Sequence, residues 1–228
     1  MKKRLLASLL CLCLLVGLLP TAALAVDDGD GGDAGQTPTP TRTTTLDLTA
    51  DSIDTTSAEA EGWAWDAETK TLTLNGLNLS VSSGDGIVVP DGATIVLAAG
   101  SVNTIKSTVT NGLGIAPRGS LTVKSADPAN LGTLDIDVVY RGIELFITED
   151  TEKNVSYQFE DVKLAIKGLR GINLSTNISS QTNSINVSVS MKNTNYTFTG
   201  TDTTARGLQV WTDKGCSTLT ICYSTIST

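Results

Sequence analysis

The chain has no histidine. That removes the commonest general base and the commonest transition-metal ligand, so Ser-His-Asp and Cys-His triads and zinc-histidine sites are excluded. Cysteine is almost as scarce. Of four cysteines, Cys11 and Cys13 lie in an apolar leader, leaving Cys216 and Cys222. On an extended segment their Cα atoms stand roughly 20 Å apart, and a disulfide needs less than about 7 Å. Two free thiols are expected, not a disulfide-stapled fold. Aromatic residues are only 4% of the chain. From Leu46 onward no stretch carries apolar residues at i, i+3, i+4, i+7 for more than one turn, which argues against helices.

A basic excess is also missing. Residues 1–25 read as a signal peptide: Lys2, Lys3 and Arg4, an apolar core from Leu5 to Leu19, Pro20, then small residues at Ala23-Leu24-Ala25. The core, about 15 residues, is short for a span of roughly 20, and the alternative is a retained anchor. Leu10 before Cys11 and Leu12 before Cys13 rule out a lipoprotein box. Cleavage takes three cations from 16 Lys+Arg and leaves 13 against 24 Asp+Glu, a net charge of −11. That sign argues against nucleic acid and anionic membranes. The expected location is secreted or cell-surface, and no integral membrane segment remains after cleavage.

Residues 26–45 read as a tether. Asp27-Asp28-Gly29-Asp30-Gly31-Gly32-Asp33 and Thr37-Pro38-Thr39-Pro40-Thr41 cannot build a core and favour solvated, extended backbone. The Asp/Gly run lacks the glutamate and flanking helices of an EF-hand. Residues 46–228 read as one domain of short alternating runs, among them Thr71-Leu72-Thr73-Leu74, Ala93-Thr94-Ile95-Val96-Leu97, Thr133-Leu134-Asp135-Ile136-Asp137-Val138 and Ile185-Asn186-Val187-Ser188-Val189. Period-two alternation puts one face of each strand inward.

A glycine followed by a branched apolar residue recurs at Gly86-Ile87, Gly114-Ile115, Gly142-Ile143, Gly171-Ile172 and Gly207-Leu208, at spacings of 28, 28, 29 and 36 residues. Two further alternating runs lie between most of these glycines. Three strands per unit match one coil of a right-handed parallel β-helix, with neighbours stacked at about 4.8 Å. About five to six coils of roughly 28 residues are expected, with glycine tolerating unusual angles at a corner. The longer fourth interval predicts a protruding loop near Thr176 to Asn183. Trp63-Ala64-Trp65-Asp66, turning through residues 67–70 into Thr71-Leu72-Thr73-Leu74, is expected to cap the N-terminal end as a hairpin. The C-terminal end shows no cap, so the natural polypeptide is expected to continue or to be truncated, with downstream domains.

The run from Gly62 to Gly76, Trp63-Ala64-Trp65-Asp66-Ala67-Glu68-Thr69-Lys70-Thr71-Leu72-Thr73-Leu74 at its centre, resembles the N-terminal motif of exported parallel β-helix surface proteins of Gram-positive gut bacteria. These are described as carbohydrate-binding domain-containing proteins. The resemblance spans residues 46–228, and those fifteen residues are its distinctive part. It implies a right-handed β-helix at the cell surface, polysaccharide binding, and calcium in some relatives.

Arg141, Arg170 and Arg206 each precede a repeat glycine, so stacking puts them in one column near a corner. Such a column can clamp carboxylates of an acidic glycan. The alternative is structural: each Arg capping carbonyls or pairing with an acidic neighbour. Asp135 and Asp137 point outward on one strand, about 7 Å apart. With Glu144, Glu160 and Asp161 nearby, they are candidate calcium ligands, or else solvated charge. Trp63 and Trp65 share a face and serve either as a sugar-stacking platform or as an apolar cap. Tyr140 and Trp211 are further stacking candidates.

These readings converge on a noncatalytic module that binds an extracellular polysaccharide, with no required cofactor and calcium as the candidate ion. An adhesin or structural stalk is the alternative. A polysaccharide lyase using carboxylate-bound calcium and an Arg or Lys base is the third.

Overall fold

The computed structural model describes residues 39–147, 154–176, 185–213, 215–222 and 224–227. The signal segment, most of the tether and nearly all of the 176–183 loop lie outside them. Two units are distinguished, residues 1–37 and 38–228, and only the second is described here.

That unit is all-β, with no helix among the described residues. It opens with β1 (Thr41–Arg42) and β2 (Leu46–Asp47), followed by a hairpin of β3 (Trp63–Asp66) and β4 (Thr71–Leu74). The first coils continue through β5 (Asn78–Val81), β6 (Ile87–Val89), β7 (Ala93–Leu97), β8 (Val102–Ser107) and β9 (Leu113–Pro117). Next come β10 (Leu121–Ser125), β11 (Thr133–Val138), β12 (Arg141–Ile147), β13 (Val155–Glu160), β14 (Lys163–Gly168) and β15 (Arg170–Thr176). The last strands are β16 (Val187–Lys192), β17 (Asn195–Gly200), β18 (Arg206–Trp211), β19 (Ser217–Cys222) and β20 (Thr225–Ser227).

From β4 onward each strand pairs in parallel with the strand three places later. Three sheets result: sheet A in the order β1-β5-β8-β11-β14-β17-β20, sheet B in the order β2-β6-β9-β12-β15-β18, and sheet C in the order β3-β4-β7-β10-β13-β16-β19. This is a parallel β-helix in which the triplets β4-β5-β6 to β16-β17-β18 are its coils. The hairpin of β3 and β4 is the single antiparallel pairing among the described strands.

Identical alternation in every coil lets like positions stack. In sheet A, Leu79, Ile105, Ile136, Ile166 and Phe198 stand in register. In sheet C the column runs Leu72, Ile95, Val123, Phe159, Met191. In sheet B it runs Ile87, Ile115, Ile143, Ile172 and Leu208. Leu208 packs partly buried against the core, and the other column members are buried. Each fully buried Val, Leu, Ile or Phe is worth about 1.5–3 kcal/mol, and no coil could bury its side chains alone.

The repeat glycines serve a different purpose from the one expected. None of Gly86, Gly114, Gly142, Gly171 and Gly207 has positive φ. A Cβ on Gly114 would instead come within 2.5 Å of Ile136 Cγ2 and 2.7 Å of the Gly142 carbonyl oxygen. The same conflict with the next glycine's carbonyl oxygen recurs at Gly86, Gly142 and Gly171. These positions are glycine because the corner is too crowded for a side chain.

The ends differ. At the start, Leu48, Ala58 and Trp63 join the core, so the hairpin and the segment before it close the stack. The fold also begins earlier than Leu46: β1 pairs with β5, and Thr45 donates to the Asp85 carbonyl at 2.7 Å. In β19 and β20, Leu219, Ile221 and Ile226 are 37–47% exposed, although they stack on buried Val189, Met191 and Tyr196. Cys216 and Cys222 are free and exposed.

Candidate functional site on the outer face of sheet B

In β12, Ile143, Leu145 and Ile147 pack on the core. Alternation therefore turns Glu144 and Phe146 outward. The same reasoning turns Asn173 and Ser175 outward from β15, where Ile172 and Leu174 are buried, and Gln209 and Trp211 outward from β18, where Leu208 and Val210 face inward. Register then assembles three parallel columns across sheet B. Arg141, Arg170 and Arg206 form one; Glu144, Asn173 and Gln209 the second; Phe146, Ser175 and Trp211 the third.

The Arg column exists as expected, but its charge is unevenly balanced. The Arg141 guanidinium lies over the Tyr140 ring, 4.1 Å from its centroid, and its Nη2 donates to the Tyr140 hydroxyl at 2.6 Å. Its Nη1 donates to Glu144 Oε2 in a close ion pair. Glu144 is 3% exposed and accepts a second short bond from Asn173 Nδ2. Arg170 reaches the same carboxylate only at 3.9 Å, and Arg206 meets a neutral partner, Gln209 Oε1, at 3.3 Å. Arg141 thus pairs with an acidic neighbour, the structural alternative, while Arg170 has that carboxylate only at the margin of contact and Arg206 has a neutral partner. Among the described residues, Arg141 Nε and Asn173 Oδ1 are buried without a hydrogen-bond partner.

The third column is aromatic at both ends: Phe146 is 44% and Trp211 45% exposed. Two rungs separate them, about 9.5 Å at the usual strand spacing. Exposed rings of this kind present flat apolar faces to solvent. No protein-family model matches the chain, and no curated protein and no solved structure matches it either.

Sequence reasoning named Trp211 but missed Phe146, Ser175, Asn173 and Gln209. The signal was available: Phe146, Ser175 and Trp211 each stand four residues after a repeat glycine, and Glu144, Asn173 and Gln209 two after.

Other candidates fall elsewhere. Trp63 is no stacking platform: it is 2% exposed, its Nε1 donates to Glu61 Oε2 at 2.9 Å, and the Arg42 guanidinium covers its ring at 5.6 Å. An indole with satisfied N–H and an apolar body is worth more as a lid on the first coil than in water. Trp65 is half-buried and borders a cleft of about 410 Å³ with Leu48, Ile53, Lys70 and Pro90.

The five carboxylates considered for calcium do not converge: Glu144 is engaged by Arg141 and Asn173 on sheet B, and the others lie elsewhere. Asp135 and Asp137 face outward from sheet A as expected, and Asp137 pairs with Lys167 at 3.2 Å. Burial pushes the Asp135 carboxyl up. Glu160 belongs to sheet C, in register between Lys124 and Lys192. Asp161 accepts from Asn193 Nδ2 at 2.7 Å. Among the described residues, no cluster of three or more Asp, Glu or Cys side chains is arranged to hold a metal. A groove of about 750 Å³ runs over the corner beside sheet A, lined by Lys106, Asp137, Val139, Tyr140, Lys167 and Asp202.

Proposed function

We propose that this protein is a noncatalytic polysaccharide-binding module of a secreted or cell-surface protein, and that the outer face of sheet B receives the polymer. The observation that carries this reading is the register of the three columns. An aromatic column, an amide and carboxylate column, and a guanidinium column run side by side across the strands. Sugar rings offer apolar faces and equatorial hydroxyls; Phe146 and Trp211 offer exposed rings, and Arg170, Arg206 and Gln209 offer donors and an acceptor beside them, while Glu144, Asn173 and Ser175 are buried beneath. A polymer laid along the coil axis meets a rung about every 4.8 Å and an exposed ring on every second one, at Phe146 and Trp211, so weak contacts add along its length. The resemblance of residues 62–76 to the motif of carbohydrate-binding surface proteins supports the same reading, and calcium remains an optional bridging ion within it.

The test is retardation of the purified protein in native gels containing neutral and acidic polysaccharides. Phe146→Ala with Trp211→Ala is expected to weaken retardation by about tenfold or more, the loss of roughly 1.4 kcal/mol of stacking. Unchanged retardation in that variant would remove the aromatic column from the site. A scaffold or adhesin reading is favoured by one observation, the exposed Leu219, Ile221 and Ile226. It predicts concentration-dependent self-association in sedimentation, without glycan.

A further inference from the structure

Charge accounting on sheet B narrows the ligand class. Three guanidinium groups occupy successive rungs, and one buried carboxylate, Glu144, is committed to Arg141 and Asn173. The excess of positive charge therefore sits at the Arg170 and Arg206 rungs, which are directly paired. Like charges placed opposite one another across a ladder repel, and among the described residues no carboxylate lies within salt-bridge distance of Arg206.

The direction of the side chains is as telling as their charge. Arg141 Nη1 and Arg206 Nη1 each reach the residue three positions along their own strand, Glu144 and Gln209. The guanidinium heads thus lie beside the second column, two residues or about 7 Å from the aromatic column. A pyranose ring stacked on Trp211 would place a substituent at the Arg170 and Arg206 heads.

Resting on the polysaccharide reading above, we infer that the ligand is an acidic glycan, with a uronate carboxylate held between Arg170 and Arg206. The planar guanidinium fork matches a carboxylate in two parallel N–H···O bonds. Gln209 and the half-engaged Arg170 lose little by turning toward it. At the other end of the site, Arg141 is already neutralised by Glu144, so the ring over Phe146 needs no charge.

The experiment uses one polymer backbone in two charge states. Polygalacturonate and its fully methyl-esterified form are compared in affinity gels, with dextran sulfate and a neutral β-glucan as further arms. The proteins are wild type, Arg170→Gln with Arg206→Gln, and Phe146→Ala with Trp211→Ala, each with its unfolding midpoint checked. Polygalacturonate is expected to retard the wild type at least about tenfold more strongly than its ester. The double Arg variant should lose that difference while still folding. Equal retardation by acid and ester, or an unchanged double Arg variant, overturns the inference. Dextran sulfate binding as strongly as polygalacturonate, and through the same two arginines, overturns the carboxylate assignment. Retardation by the neutral glucan alone, lost in the aromatic variant, overturns the acidic ligand and leaves the polysaccharide reading standing. No retardation by any polymer overturns both.

Discussion

Replacing Gly114 with alanine tests the account of the coil corners most directly. The new Cβ would lie 2.5 Å from Ile136 Cγ2 and 2.7 Å from the Gly142 carbonyl oxygen, where ordinary contact is 3.4–4 Å. One obstacle is a β-branched side chain with a stiff χ1, itself 2% exposed and held between Ile105 and Ile166 in its column. The other is backbone of the next coil, which cannot retreat without disturbing the pairing of β9 with β12. Overpacking usually costs about 1–3 kcal/mol, and an obstacle in the backbone puts this case near 3 kcal/mol. Gly92 is the control. Its φ is +75°, but a Cβ there meets nothing within 4 Å, so alanine costs only the left-handed penalty of about 1–2 kcal/mol. Guanidinium unfolding followed by circular dichroism should rank Gly114→Ala as the more damaging. Because stacked repeats can unfold in parts, midpoint and slope are both compared. Adding Ile136→Ala removes one obstacle of the two, and the double variant should be milder than the sum by about 1 kcal/mol. A Gly114→Ala protein within about 0.5 kcal/mol of wild type, or more stable than Gly92→Ala, would refute the crowding argument.

Acid should loosen the N-terminal cap first. Burial works to raise the Glu61 carboxyl, but hydrogen bonds from Trp63, Arg42 and Ser57 outweigh it and hold the group below its ordinary 4.5. A depressed carboxyl contributes stability that is complete above the unfolded value and fades as pH falls through the folded one. Tryptophan fluorescence should therefore report loosening below about pH 4.5, and Glu61→Gln should flatten that response; an identical acid profile in the variant would count against it. On sheet B, Glu144→Ala leaves Arg141 partly buried without its carboxylate. The expected cost is about 2 kcal/mol, with Arg141→Ala and Glu144→Ala together costing less than their sum, both read by chemical unfolding; full additivity would mean that the pair does not interact.

The coil was legible because its signals are local and repeated. Alternation in runs such as Thr133 to Val138 encodes one inward face, and five glycine-apolar steps set the period. The hairpin from Trp63 to Leu74 was equally plain. The start of the fold was not: β1 is a two-residue strand, Thr41–Arg42, inside a Thr/Pro run, and it exists only because β5 supplies the ladder. The purpose of the glycines was misread for a similar reason. At Gly86, Gly114, Gly142 and Gly171 the side chains that crowd them are Ile105, Ile136, Ile166 and the Tyr196 hydroxyl, all more than 15 residues away.

The sequence by itself determined the class of fold, the coil length and the stacking of Arg141, Arg170 and Arg206, since a repeat that keeps its period keeps its columns. Only the tertiary structure decided what those columns do. It decided between platform and cap for Trp63 by burying the ring as the lid of the first coil. It set Glu144 against Arg141 rather than in solvent, and it separated Asp135 and Asp137 from Glu160 by placing them on different sheets. It also brought Phe146 into line with Trp211, 65 residues away. Each of these outcomes depends on which side chains meet across coils and on how far water is excluded between them, and neither quantity is carried by any one strand.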